Sequence, residues 1–449
     1  MNKRFYIAGL FTLIIQIICI PGQNICFEPD TGTYLNWSPI RTTAYPVFLN
    51  LLQLFTDNWK FYSAIQLILS SWAVLFLIFE LSFILKKQSL IWFCWACFML
   101  NPILFWLNIK ILTESLFLTL MVCIIAYTLR FVRQEMKNHK TLVLLSVCVS
   151  LSISIRPAGM FYLPALVFFI FLLIQDKQKM LPSIFALFIP CFLIMGLSKA
   201  IYTSQHGQGK SLLDAHIFAR GLMIMTEKDT PLLPPNLQKE APQILDLNKK
   251  VNSLQGFNLR HLIRTRQEVM YQHQLNHQMT DQDRKQLGIT LIKNNFYQYF
   301  KLTSLHFFHL WSGFEVCSQA ESDSYAQQNK NWTKINLVKD FSWQDTLVKK
   351  RRVFPIAWLH WGLLIPLFII SFTAFYSIYL RIKKTDTPYL RLAGFFSICC
   401  IGSSLLTAMV GIATLRYTLT LTPFILIIFI LWFIHIQQSK SSPSLPETA

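Results

Sequence analysis

The chain has 449 residues, of which 53% are hydrophobic and 14% charged, with a mean hydropathy of +0.42. A water-soluble domain of this size has too little polar surface to cover so much apolar side chain, which excludes an ordinary globular enzyme and points to a bilayer as solvent. The formal charge of +19 suits a chain whose basic residues flank membrane spans and meet anionic lipid or phosphate, and no motif suggests a nucleic-acid partner.

A spanning helix needs roughly 20 mostly apolar residues. Such runs recur near 5–20, 62–85, 89–107, 112–130, 141–155, 158–175, 181–200, 354–380, 392–411 and 417–436. The expected fold is therefore an all-α polytopic membrane protein of about ten transmembrane helices. The first run ends at Pro21 and Gly22 without a small-residue cleavage site, so it is read as a span and not as a signal peptide. Lys and Arg gather at Lys3/Arg4, Lys86/Lys87, Arg130/Arg133, Lys177/Lys179 and Arg381/Lys383. The bias of such clusters toward the cytoplasm places all of them on one side and both termini with them. A bacterial inner membrane is the expected location.

Four divisions follow. Residues 1–200 form an N-terminal transmembrane part with a first outer loop at 21–61. Residues 201–353 form a helical, membrane-associated extracytoplasmic segment, 354–436 the C-terminal spans, and 437–449 a disordered tail. Within the first loop, Tyr45 to Phe55 is amphipathic and suits a helix lying along the interface. The long segment carries 20 Lys and Arg against 13 Asp and Glu, and long loops translocate largely regardless of charge. A helix is expected from about Ser211, prolines 231, 234 and 235 interrupt the next stretch, and Asn295 to Trp311 is aromatic and interfacial.

Ionisable residues at or near membrane depth are costly and point to function. Asp30, in FEPDTGTYL, has Tyr34 one helical turn on and could take a proton from an acceptor hydroxyl; its bland alternative is a turn or cap aspartate. Glu114 opens the fourth apolar run, where the helix dipole alone favours an acid. Arg156 precedes Pro157 and can hold a phosphate or simply snorkel. Arg416 precedes Tyr417 at the same face. Arg220, in FARGL, reads as an interfacial anchor. His306 and His309 share a helix face but lack a third ligand for a metal. Cys94 and Cys97 form a CxxC inside an apolar helix, an inert setting, and Cys26 and Cys317 are the cysteines placed outside. Asn36-Trp37-Ser38 and Asn331-Trp332-Thr333 serve as glycosylation acceptors only if those loops face a eukaryotic lumen.

These landmarks resemble, in order and sidedness, the GT-C superfamily of polytopic glycosyltransferases, in the branch of protein mannosyltransferases and lipid A aminoarabinose transferases. The matching features are Asp30 with Tyr34 in the first outer loop, Thr113 to Phe117 as TESLF, Arg156-Pro157 between spans, and Arg416-Tyr417 with Pro423 six residues on. The resemblance covers 1–200 and 354–436 and leaves 201–353 unaligned. It implies inverting transfer of a sugar from a polyprenyl-phosphate donor to a lipid, glycan or protein acceptor on the outer side. Asp30 and Glu114 would be catalytic, Arg156, Arg416 and Tyr417 would bind donor phosphate, and Tyr34 and Arg220 would contact substrate. Members often carry two adjacent acids in the first loop, whereas Asp30 is followed by Thr31. No cofactor is expected, with a divalent metal admitted as an alternative. The rival readings are a transporter or flippase of lipid-linked glycans, and a glycan ligase or polymerase.

Overall fold

The computed structural model describes residues 3–19, 31–38, 41–85, 87–135, 138–173, 177–207, 212–253, 264, 267–268, 271, 279–312, 364–383, 387–410 and 420–441. Among them every regular element is helical. In chain order these are α1 (Lys3–Cys19), α2 (Thr31–Leu35), α3 (Ala44–Gln53), α4 (Trp59–Ile84), α5 (Gln88–Met99), α6 (Pro102–Asn108), α7 (Thr113–Arg133), α8 (His139–Ile155), α9 (Tyr162–Leu173) and α10 (Lys177–His206). Then follow α11 (Leu212–Ile224), α12 (Pro235–Gln238), α13 (Ala241–Ser253), α14 (Asp281–Asn294), α15 (Phe296–Ser312), α16 (Leu364–Lys383), α17 (Pro388–Val410) and α18 (Thr422–Ser441). Among the described residues, five helical stretches are long and apolar enough to cross a membrane: Trp59–Ile84, Thr113–Arg133, Met180–His206, Ile365–Lys383 and Pro388–Met409. Shorter apolar helices lie at Phe5–Ile18, Gln88–Met99, His139–Ile155, Pro157–Ile170 and Thr422–Gln437.

Local chemistry explains where the apolar runs are cut. The run expected at 89–107 is two helices, because Pro102 has no N–H to offer and opens α6. Asn101 seals the break, donating to Cys97 O at 3.2 Å and accepting from Leu104 N at 3.3 Å. Asn58 and Asn138 cap α4 and α8, each accepting a backbone N–H two residues on at 3.0 Å. The run at 158–175 begins as a 3-10 turn, Pro157–Phe161, with Pro157 at its first position. The final helix continues to Ser441, past the 436/437 boundary expected from composition. Likewise α10 passes residue 200 and stops at Gly207, whose φ of 76° is the left-handed conformation that glycine adopts at helix ends.

Two compact units result, one of residues 1–207, 368–403 and 419–449, the other of residues 208–367 and 404–418. In the first, α4 and α7 run parallel. Near their N-termini, Ser63 and Gln66 bind the carbonyls of Ile109, Asn108 and Lys110. Near their C-termini, buried Glu80 bridges Arg130 at 2.7 Å and Arg133 at 2.9 Å. Helix α8 returns antiparallel, with Thr141 donating to Gln134 at 2.8 Å and Arg156 reaching Glu114. One end of this unit thus gathers Glu114 and Arg156, and the other gathers Glu80, Arg130 and Arg133.

The second unit is a helical cluster around Phe218, Leu222, Met223, Leu237, Ile244 and Leu291. The helix expected from Ser211 begins at Leu212. Past the prolines, Asp229 binds Thr226 N at 2.9 Å, Asn294 at 3.1 Å and Asn295 at 2.8 Å, tying the 3-10 turn Glu227–Leu232 to the end of α14. Tyr299 of α15 donates to Met409 O at 3.0 Å.

Candidate functional site

Glu114 is the second residue of α7, where its charge meets the helix dipole. Its Oε2 accepts from the Thr113 hydroxyl at 3.2 Å, and its Oε1 lies 3.7 Å from Nη2 of Arg156. Arg156 is only 7% exposed, so it does not snorkel. It holds an extended conformation, φ −148° and ψ 129°, as a residue before proline must. The turn after it closes tightly: Gly159 N donates to Arg156 O at 2.9 Å, and a Cβ on Gly159 would stand 2.9 Å from Ile153 N and Ser152 C and O. Only glycine fits there, and the close approach fixes Arg156 at the end of α8.

From Thr113 the contacts lead to the first loop. Tyr34, on α2, places its hydroxyl 3.5 Å from that of Thr113. Arg41 donates to the Tyr34 hydroxyl at 3.2 Å and to Thr33 at 2.7 Å, with its guanidinium 4.5 Å from the Tyr34 ring centroid. Tyr45 meets Tyr34 edge to face at 5.2 Å and donates to Gln66 at 2.9 Å. Burial pushes the Tyr45 phenol well above its ordinary value, and Tyr34 and Glu114 beside it add to the rise. It therefore stays protonated and keeps the hydrogen bond to Gln66, which in turn pins the 108–110 backbone ahead of α7. Lys110, 2% exposed, sets its Nζ 3.5 Å from the Trp106 ring centroid.

Of the residues singled out in the sequence, Glu114, Arg156 and Tyr34 come together here, although Tyr34 and Thr113 are 79 residues apart. Asp30, Arg416 and Tyr417 lie outside the described residues, as do Cys26 and Cys317. Arg41, Lys110, Tyr45 and Gln66 were not anticipated. Lys110 carried a usable signal, being an ionisable group within an apolar stretch; so did Glu80 in LFLIFELSF. Arg41 carried none, since an arginine in a polar loop is ordinary. The named groups include three basic side chains, Arg41, Lys110 and Arg156, and one carboxylate, Glu114.

Arg220 belongs to the second unit and is not the interfacial anchor expected. It is fully buried, with Nε 3.4 Å from Glu268 Oε1 and Nη2 2.8 Å from His306 Nδ1. A guanidinium only donates, so His306 accepts through Nδ1 and carries its proton on Nε2. His216 Nδ1 lies 3.2 Å from the same Glu268 oxygen. Burial pushes the Glu268 carboxyl up, but Arg220 and His216 outweigh it and hold the group below its ordinary value. Arg220 thus anchors a buried charge cluster of this unit. His309 is buried on the same helix. Among the described residues no group of three His, Cys, Asp or Glu side chains could hold a metal. Cys94 and Cys97 are free thiols.

The long apolar helices and the ion pairs buried between them define an all-α membrane protein. No family model matches the chain, and neither a curated protein nor a solved structure is significantly similar to it.

Proposed function

We propose that the protein is a polytopic membrane glycosyltransferase that moves a sugar from a polyprenyl-phosphate donor to a lipid, glycan or protein acceptor on the extracytoplasmic side. The observation that supports this most is the Glu114–Arg156 pair joined through Thr113 to Tyr34. Three of the landmarks that carry the sequence resemblance, far apart in the chain, meet at one end of the helices. About ten spans, a bacterial inner membrane and cytoplasmic termini complete the reading.

In this mechanism Asp30 takes the proton of the acceptor hydroxyl, and the acceptor oxygen attacks the anomeric carbon from the face opposite the phosphate. The bond from that carbon to the phosphate oxygen breaks, and polyprenyl phosphate leaves with the electron pair. Arg156 stabilises the charge on the departing phosphate. Glu114 holds Arg156 in place. Arg416 and Tyr417 are assigned to the same phosphate.

The test compares sugar transfer in membranes containing the wild type or Asp30→Asn at matched expression. A general base contributes roughly 10²- to 10⁴-fold, so near-complete loss is expected. Unchanged transfer removes Asp30 from the mechanism.

A further inference from the structure

The chain that leaves α2 makes an abrupt turn. Trp37 has a φ of 40°, in the left-handed region that non-glycine residues rarely adopt and that persists where surrounding contacts hold it. Those contacts are Trp37 N to Tyr34 O at 3.1 Å, Ser38 N to Thr33 O at 2.8 Å and Arg41 N to Ser38 O at 2.9 Å. The turn therefore aims Trp37 from the same few residues that seat Arg41 on Tyr34. Its indole stands perpendicular to the ring of His206 with centroids 5.4 Å apart. His206 in turn lies 4.9 Å from Tyr202, one turn earlier on α10. Thr43 donates to Ser198 O at 3.1 Å, which fastens this end of α10 beside the first loop.

Three rings thus converge, and two of their polar atoms are enclosed. Trp37 Nε1 and His206 Nε2 are both buried with no hydrogen-bond partner among the described residues. An aromatic residue that serves as an interfacial anchor does the reverse, turning its polar atom to the wet side. Buried polar atoms call for a partner. An indole beside two unpartnered ring nitrogens matches a sugar ring: an apolar C–H face to lie on the indole, and hydroxyls that can accept from Nε1–H and pair with Nε2. A quaternary ammonium, the other common guest of aromatic cages, is disfavoured because Arg41 belongs to the same turn and like charges repel.

We propose that Trp37, Tyr202 and His206 form a subsite for the pyranose ring of a phosphate-linked sugar. The proposal rests on the glycosyltransferase reading and extends it to residues outside the motifs that suggested it.

The experiment uses the full chain in lipid nanodiscs, labelled with 5-fluorotryptophan. Trp37→Phe assigns the Trp37 fluorine signal, with Trp37→Tyr as a second assignment should the first variant not fold. Glucose, galactose and mannose 1-phosphates are titrated in turn, against inorganic phosphate and tetramethylammonium as controls. A saturable shift of the Trp37 signal is expected with at least one sugar phosphate and with neither control, and His206→Ala should weaken that binding roughly tenfold. A signal that stays still with all three sugar phosphates, or moves as much with phosphate or tetramethylammonium, overturns the subsite. Calorimetry with wild type and Arg156→Ala separates the two levels. Arg156-dependent sugar phosphate binding with a silent Trp37 removes the subsite and spares the enzyme reading, whereas absence of both counts against both.

Discussion

Arg156 Nη2 stands 3.7 Å from Glu114 Oε1, close enough for strong attraction where both are buried and too far for a hydrogen bond between those atoms. Removing either partner breaks a buried ion pair, at a cost of about 3–5 kcal/mol. Arg156→Ala and Glu114→Ala should both lower the thermal midpoint in nanodiscs. Arg156→Lys keeps the charge but loses the planar fork, so it should stay close to wild type in stability and lose at least about tenfold in kcat/KM for the lipid donor, by the transition-state arithmetic. Full activity in the lysine variant would show that the fork is not used on phosphate.

The opposite end of the same unit offers a contrast. Glu80 is wholly buried and shared by Arg130 and Arg133, whose guanidinia also lie 4.5 Å from the Phe76 ring and 4.1 Å from the Phe83 ring. Glu80→Gln should destabilise the chain by about 3 kcal/mol, read as earlier unfolding in detergent or nanodiscs. Sugar transfer per folded molecule should remain near wild type, because the groups proposed for the reaction are at the other end of α7. A large drop in kcat for properly folded Glu80→Gln would overturn that separation.

Gly159 sets the geometry of Arg156 through its contact with α8. Gly159→Ala pushes a methyl group to 2.9 Å from the Ser152 and Ile153 backbone, which cannot yield as a side chain does. Overpacking of this kind costs about 1–3 kcal/mol. The substitution should lower both stability and transfer, the latter by moving Arg156. Unaltered thermal stability together with full transfer in Gly159→Ala would contradict it.

In the second unit, Glu268 gives a pH dependence of definite sign. Its carboxyl is held below its ordinary value by Arg220 and His216 against the opposing effect of burial. A depressed folded value means stability that is fully present above the unfolded value and lost as pH falls through the folded one. Protection of this unit from proteolysis, as far as Glu268 governs it, should be flat from neutral pH down to about 4.3, the usual carboxylate value, and decline below. Glu268→Gln should be less stable at neutral pH and show a shallower acid decline. An equally steep decline in that variant would assign the effect to other groups.

Certain features of this protein could be read directly from its residues. Apolar runs mark most of the helices, because bilayer thickness dictates run length, and Pro157 marks the end of one, whereas the break that Pro102 makes in the 89–107 run was not anticipated. Glu114 and Arg156 were visible for a similar reason, since charge near membrane depth is costly wherever it occurs. Helix packing decided the rest. That Arg220 meets Glu268 and not water, that Glu80 draws in two arginines 50 and 53 residues away, and that Trp37 faces His206 all depend on the register of one helix against another. Nearly uniform apolar faces leave that register open in sequence, and only the close packing of specific side chains selects it.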